Sequence, residues 1–266
     1  METMMIIGLI FAVIMGITLG VFGAGGSILT VPILVYLMGI SAFQATAYSL
    51  FIVGITSLFG AYAYYKKDFI QFKIGFIFAI PAFIGVYSVR LWLMPALPEH
   101  IASFGNWELS KEALILMVFS IIMIMAAYAM IKPSKKEDNS QHKALNYPLI
   151  GFEGLIVGAV TGFVGAGGGF LIIPALVMLA GLSMKQAVGT SLMIIAIKSI
   201  FGFMGDIQSG MMINWILLFE ITILSILGAF IGERMSRKID GNKLKPIFGY
   251  FVLIMGIVML LREITV

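Results

Sequence analysis

The chain has 266 residues, 61% of them hydrophobic and 11% charged, with a formal net charge of +4 and no cysteine. Water-soluble domains lie nearer ~45–50% apolar and ~25% charged, so this composition excludes an ordinary soluble enzyme and points into a bilayer. The lack of cysteine removes disulfides, thiol nucleophiles and cysteine-held metals from consideration.

Apolar runs of about 18 or more residues read as membrane spans. Taken in order they fall near 4–22, 43–64, 71–92, 112–131, 148–164, 184–204, 212–232 and 246–262. Two shorter runs lie at 28–38 and 170–180. The expected fold is therefore an all-α integral membrane protein. Met1-Glu2-Thr3 has no basic flank and no small-residue cleavage site follows, so the first run reads as a retained span.

Residues 16–60 and 158–202 repeat one another at a constant offset of 142 without a gap, with 22 of 45 positions identical. The first copy contains Gly20-x-x-Gly23-Ala24-Gly25-Gly26, then Pro32, Gly39, Ser41 and Gln44. The second contains Gly162-x-x-Gly165-Ala166-Gly167-Gly168, then Pro174, Gly181, Ser183 and Gln186. The chain divides accordingly into a first membrane repeat (1–131), a basic linker (132–147) and a second membrane repeat (148–266), with about five helical segments in each repeat.

Three basic loops set the expected orientation. They hold Lys66, Lys67 and Lys73; Lys132, Lys135, Lys136 and Lys143; and Arg234, Arg237, Lys238, Lys243 and Lys245. Short loops rich in Lys and Arg stay cytoplasmic, which puts both termini, the loop 93–110 and the stretch Asp206–Gly210 outside the cell (inner or plasma) membrane. Residues 66–73 are then inside and their repeat partners 208–215 outside, so the halves are inverted. Inverted repeats with interrupted helices are a signature of secondary transporters that bind substrate near the midplane.

Eleven residues from Ile28 to Met38 make a helix of ~16 Å, about half the ~30 Å hydrocarbon core. Each glycine cluster is expected to bring extended chain to mid-depth, where a half-length helix begins. That helix turns at Gly39 or Gly181, and a full span follows, capped by Ser41-x-x-Gln44 or Ser183-x-x-Gln186. Free N–H groups and the positive dipole end of each half-helix then face a cavity suited to an anion. The spacing Gly16-x-x-x-Gly20 reads instead as close helix packing.

Together with Ala187-Val188-Gly189-Thr190-Ser191, these paired clusters resemble the TauE/SafE sulfite-exporter family over essentially the whole chain. The resemblance implies transport, usually export, of sulfite, sulfoacetate or related organosulfonates. The first half departs from that pattern, with Ala45-Thr46-Ala47-Tyr48-Ser49 in place of the Gly-Thr-Ser form.

The candidate substrate-binding residues are Gly23, Ala24, Gly25, Gly26, Gln44, Thr46 and Ser49 in the first half. In the second they are Gly165, Ala166, Gly167, Gly168, Gln186, Thr190 and Ser191. Helical hydroxyls also bond their own i−4 carbonyls, so for Thr46, Ser49, Thr190 and Ser191 both roles stay open. Lys198 and Glu220 are ionisable groups within spans, which cost at least ~2.5–3.5 kcal/mol on insertion scales and are functional candidates by default. Their expected depths match, so they are expected to pair and to offer a route for proton coupling. Glu153 and Lys185 read as interfacial.

Neither His100 nor His142 has a ligand-spaced partner, and no phosphate-binding loop occurs, so no metal, no cofactor and no direct use of ATP is expected. The expected partners are a small anion and lipid, with no nucleic acid; a homo-oligomer is left open. A secondary carrier is the leading reading, with an anion channel and then a membrane enzyme as alternatives.

Overall fold

The computed structural model describes residues 2–22, 27–104, 107–131, 146–236 and 241–265. Among these, ten helical segments follow the expected order. Helix α1 is Glu2–Phe22; α2 is Thr30–Pro32 continued by a wide i→i+5 turn, Ile33–Leu37; α3 is Ala42–Tyr65; and α4 is Phe72–Ala96. The second series begins after α5, Lys111–Ile131, with α6 (Tyr147–Val164), α7 (Gly169–Ala180), α8 (Met184–Gln208), α9 (Trp215–Ser236) and α10 (Gly241–Thr265). Six of these helices (α3, α4, α5, α6, α8 and α9) are long and apolar enough to cross a membrane. Large exposed side chains such as Ile10, Leu58, Ile80, Met125, Phe152 and Ile223 cover the outer faces, as a lipid solvent requires. The protein is thus an all-α, multi-pass membrane protein.

Where the chain turns, local chemistry explains it. Gly39 (φ 68°) and Gly181 (φ 61°) take the left-handed conformation just after the two short helices, where a Cβ would be strained. Ser41 Oγ accepts the Gln44 N–H, and Ser183 with Gln186 forms a complete capping box at the start of α8. The sequence places a plain loop at 93–110; in the structure α4 runs on to Ala96 and His100–Phe104 pairs antiparallel with Trp107–Ser110. The stretch from Asp206 also departs from expectation. It is not loop: α8 continues to Gln208, and Asp206 is fully buried.

Helix packing follows the glycines. A Cβ on Gly16 would overlap the Ser225 carbonyl oxygen, and one on Gly158 would overlap that of Ala82. Gly20 meets Ala229, and Gly162 meets Val86. Helix α1 therefore lies against α9, and α6 against α4, at backbone contact distance, as small residues permit in membranes. The pairs Gly85–Leu155 and Gly228–Val13 repeat the pattern. All of these match if α1, α2 and α3 correspond to α6, α7 and α8 at an offset of 142, and α4 to α9 at an offset of 143.

Contacts at successive levels also give directions. Helices α1, α3 and α9 run one way, and α4, α6 and α8 the other, so each helix named here runs opposite to its counterpart. Helix α7 joins the end of α6 to the start of the parallel α8, so it must run back between them. One end of the bundle carries Lys66, Lys67 and Lys185 (the basic end); the other carries the β-hairpin (the hairpin end).

One symmetric pair of hydrogen bonds involves the candidate Thr190. Tyr48 Oη accepts the Asn214 N–H at 2.7 Å, and its counterpart Thr190 Oγ1 accepts the Gln71 N–H at 3.0 Å. Each ties the start of α9 or α4 to the helix it crosses. Thr190→Val removes the acceptor from a fully buried position, so melting in detergent is expected to fall by the equivalent of ~1–3 kcal/mol. Anion affinity is expected to stay within a few-fold; a loss of affinity without destabilisation would assign the hydroxyl to substrate instead.

Candidate functional site

The second glycine cluster forms the tight corner between α6 and α7. Gly165 closes α6 in the left-handed conformation (φ 74°), and Gly168 opens α7 in the same conformation (φ 79°). Gly165 lies against the Thr46 backbone, where a Cβ would sit 2.5 Å from Thr46 Cα. Ala166 is fully buried. Gly167 faces Val53 and Ser27, its notional Cβ lying 2.9 Å from Ser27 Oγ. Ser27 directly follows the first cluster, so the chain leaving that cluster touches the second one. Gly23, Ala24, Gly25 and Gly26 themselves lie outside the described residues.

Lys198 points into this corner. Its Nζ donates to Thr161 Oγ1 at 2.7 Å, and a Cβ on Gly168 would lie 3.6 Å from Nζ. The ammonium is fully buried and sits beside the first turn of α7, whose leading N–H groups have no intrahelical acceptor. Thr161 Oγ1 in turn donates to the Gly158 carbonyl at 3.2 Å.

A second buried cation stands nearby, and the sequence reading missed it. Arg90 Nη1 donates to Thr46 Oγ1 at 3.1 Å and contacts Asp206 Oδ1 at 3.4 Å, with both members of the ion pair fully buried. Thr46 links Arg90 to the corner that Lys198 enters, since its backbone lies against Gly165. The Arg90 Nε and Nη2, Asp206 Oδ2, and the hydroxyls of Ser49 and Ser199 are buried with no hydrogen-bond partner. Arg90 lies in a wide i→i+5 turn, Val89–Leu93, a distortion frequent at functional sites. Among the described residues no cluster of His, Asp or Glu could hold a metal ion.

The expected Lys198–Glu220 pair is not formed. Among the described residues the ion pairs are Arg90–Asp206 and Lys67–Glu233, and Glu220 lies on the exposed face of α9. The reason is depth. Helix α8 extends to Gln208 and α9 starts only at Trp215, so Lys198 is ~15 Å and Glu220 ~7.5 Å from their helix ends.

The remaining candidates make hydrogen bonds within or next to their own helices. Gln44 Nε2 reaches the Met212 carbonyl at 3.4 Å, and Gln186 completes the cap of α8. Ser191 Oγ donates to the Val188 carbonyl of its own helix. Thr46 Oγ1 donates to the Phe43 carbonyl at 2.8 Å while accepting from Arg90.

At the basic end a narrow cavity of about 40 Å³ opens between α1, α3 and α9, lined among others by Leu19, Thr56, Tyr64, Ala229 and Glu233. On the same measure one water needs ~10–15 Å³, so the cavity holds about three. By repeat offset these five correspond to Thr161, Lys198, Asp206, Val86 and Arg90. The open cavity and the sealed polar cluster are therefore counterpart positions in the two halves.

Comparison with known proteins agrees with this architecture. The chain is 28% identical to the probable membrane transporter protein YdhB of Bacillus subtilis, covering 93% of this chain and 96% of that protein. It is 25% identical to a probable membrane transporter protein of Xylella fastidiosa, over 94% and 92% of the two chains. A probable membrane transporter protein of Methanocaldococcus jannaschii is 26% identical over 95% and 94%. No solved structure matches the chain at a significant level. The family profile described as Sulfite exporter TauE/SafE matches residues 8–259, nearly the full length. The chain belongs to the sulfite exporter TauE/SafE family of membrane transporters.

Proposed function

We propose that the protein is a secondary carrier of a small sulfur-containing anion, sulfite or an organosulfonate, that works by alternating access and exports its substrate. The observation that carries this reading is Lys198. Among the described residues this fully buried ammonium has a neutral hydroxyl, Thr161, as its hydrogen-bond partner and no carboxylate within ion-pair distance. A buried cation of that kind is costly unless an anion completes it. The N–H groups of Gly169 and Phe170, ahead of Leu171, whose N–H bonds the Gly168 carbonyl, add the positive dipole end of α7 to the same corner.

In this reading the anion sits against Lys198, Thr161 and the backbone of Gly165–Gly168. A shallow, open depression lined by Gly39, Gln44, Tyr48 and Asn214 indents the hairpin end, but Arg90, Asp206 and Lys198 beneath it are fully buried, so in this reading the polar cluster is shut off from that side. With the basic end in the cytoplasm of a cell membrane, both termini lie outside and the cavity faces inward. Among the described residues no group of three His, Asp or Glu gathers that could hold a metal ion, which favours a carrier over a metal-dependent enzyme.

The test is counterflow in proteoliposomes. Preloaded unlabelled sulfite should drive transient uptake of labelled sulfite above equilibrium, and flux should saturate. Ohmic currents without counterflow would replace the carrier with a channel.

A further inference from the structure

The buried cluster holds two cations and one carboxylate: Arg90, Lys198 and Asp206. With all three ionised its net charge is +1. A bound monoanion brings it to zero, whereas a bound dianion leaves it at −1 inside a low-dielectric interior. One proton on Asp206 restores neutrality. We propose that Asp206 is the proton-carrying group of the transport cycle and that a dianionic substrate crosses together with one proton bound to Asp206. This rests on the carrier reading above.

The geometry supports the step. The Arg90–Asp206 contact is single and long, 3.4 Å, so the carboxylate is loosely held. Its Oδ2 has no partner and is free to take a proton, while Arg90 Nε and Nη2 are buried and uncommitted. Protonation at Oδ2 removes the negative charge that competes for the guanidinium, and the incoming anion takes its place. The proton comes from water and returns to water; no other bond is made or broken. Asp206 lies two residues from the end of α8, at the hairpin end, where opening that side would hydrate it.

The surrounding groups leave this role to Asp206. Helix α4 presents Arg90 and Tyr87, whose hydroxyl is bonded to Gln208. Helix α3 presents Thr46 and Tyr48, the latter bonded to the Asn214 N–H. Lys198 lies on α8 itself. Lys111, at the start of α5, acts electrostatically on Arg90 and interacts with Glu99. Helix α7 carries no titratable side chain, and those of α6, Tyr147 and Glu153, lie towards its opposite end.

The test uses proteoliposomes and labelled sulfoacetate, a dianion near neutral pH, with the membrane potential clamped at zero. An inward proton gradient of one pH unit should give about tenfold steady-state accumulation by the wild type. A pH dye in the lumen should record about one proton per anion. Asp206→Asn should accumulate no gradient, its ratio falling to unity. Asp206→Glu should restore accumulation. The steady-state ratio does not depend on rate, so a slower variant is still informative. Accumulation that persists in Asp206→Asn overturns the proposal. So does wild-type exchange of label with no proton movement, a result that needs no variant to fold. No exchange of either sulfoacetate or sulfite by the wild type would overturn the carrier reading, and the proton proposal with it.

Discussion

Lys198→Met is expected to weaken anion binding by at least about tenfold to a hundredfold while leaving the protein as stable as the wild type, or more so. The two effects have one origin. The ammonium is fully buried, and Thr161 Oγ1 is its hydrogen-bond partner. A charge-assisted hydrogen bond contributes ~1.5–3 kcal/mol, and each 1.4 kcal/mol is about a tenfold change in affinity, so its loss falls within that range. In the empty protein the same charge is a burden of ~2.5–3.5 kcal/mol on insertion scales, which Met removes at similar length. Lys198→Arg keeps the charge, but its planar head must fit where the present ammonium lies 3.6 Å from the position of a Gly168 Cβ. It should therefore bind poorly too. The measurement is a thermal-shift titration with sulfite and sulfonates alongside unliganded melting. Affinity retained in Lys198→Met would remove the site; affinity and melting lost together would make Lys198 a structural residue.

Most of the fold could be read from the chain because it is written in periodicity and punctuation. Apolar runs gave the helices, and Gly39, Gly181, Ser41 and Ser183 marked their turns and caps. The second glycine cluster lies where the structure makes a tight corner beside Lys198, which the sequence shows as a lone charge in a span. What could not be read was which charge meets which. Arg90 lies two residues before Trp92 at the end of an apolar run, where a cation usually reaches the interface. Asp206 sits between Gly205 and Gly210, a composition that reads as loop. Only the packing of α4 on α8 reveals that both are inward-facing and adjacent. A signal was present nonetheless: at the offsets of 142 and 143, Asp206 corresponds to Tyr64 and Arg90 to Glu233, both on helices in the repeat. Thr190 and Gln186 show a competing demand on polar residues in a repeat: the Gln71 N–H bonds the Thr190 hydroxyl, and Gln186 completes a capping box.

The repeat correspondence leads to a second large expected effect, on accessibility. Ala229 lines the cavity at the basic end, and its counterpart Val86 is fully buried in the sealed half. The chain has no native cysteine, so single substitutions give clean labelling. Ala229→Cys adds one sulfur into open space. Val86→Cys removes about one methyl, a change in a packed core that typically costs ~0.5–1.5 kcal/mol by analogy with Ile→Val. If the halves exchange conformations during transport, the two positions must exchange environments. Ala229→Cys should react with a membrane-impermeant maleimide applied from the basic end, while Val86→Cys stays protected. Turnover conditions, with anion on both sides, should slow labelling at position 229 and open position 86 to reagent from the hairpin end. The buried Arg90–Asp206 contact lies one turn beyond Val86, so opening this position to reagent is expected to separate that pair as well. The reciprocal change is the decisive observation. Labelling of both positions from the same end, or labelling of neither responding to anion, would mean that the two halves do not alternate and that the cavity is a fixed feature of the fold.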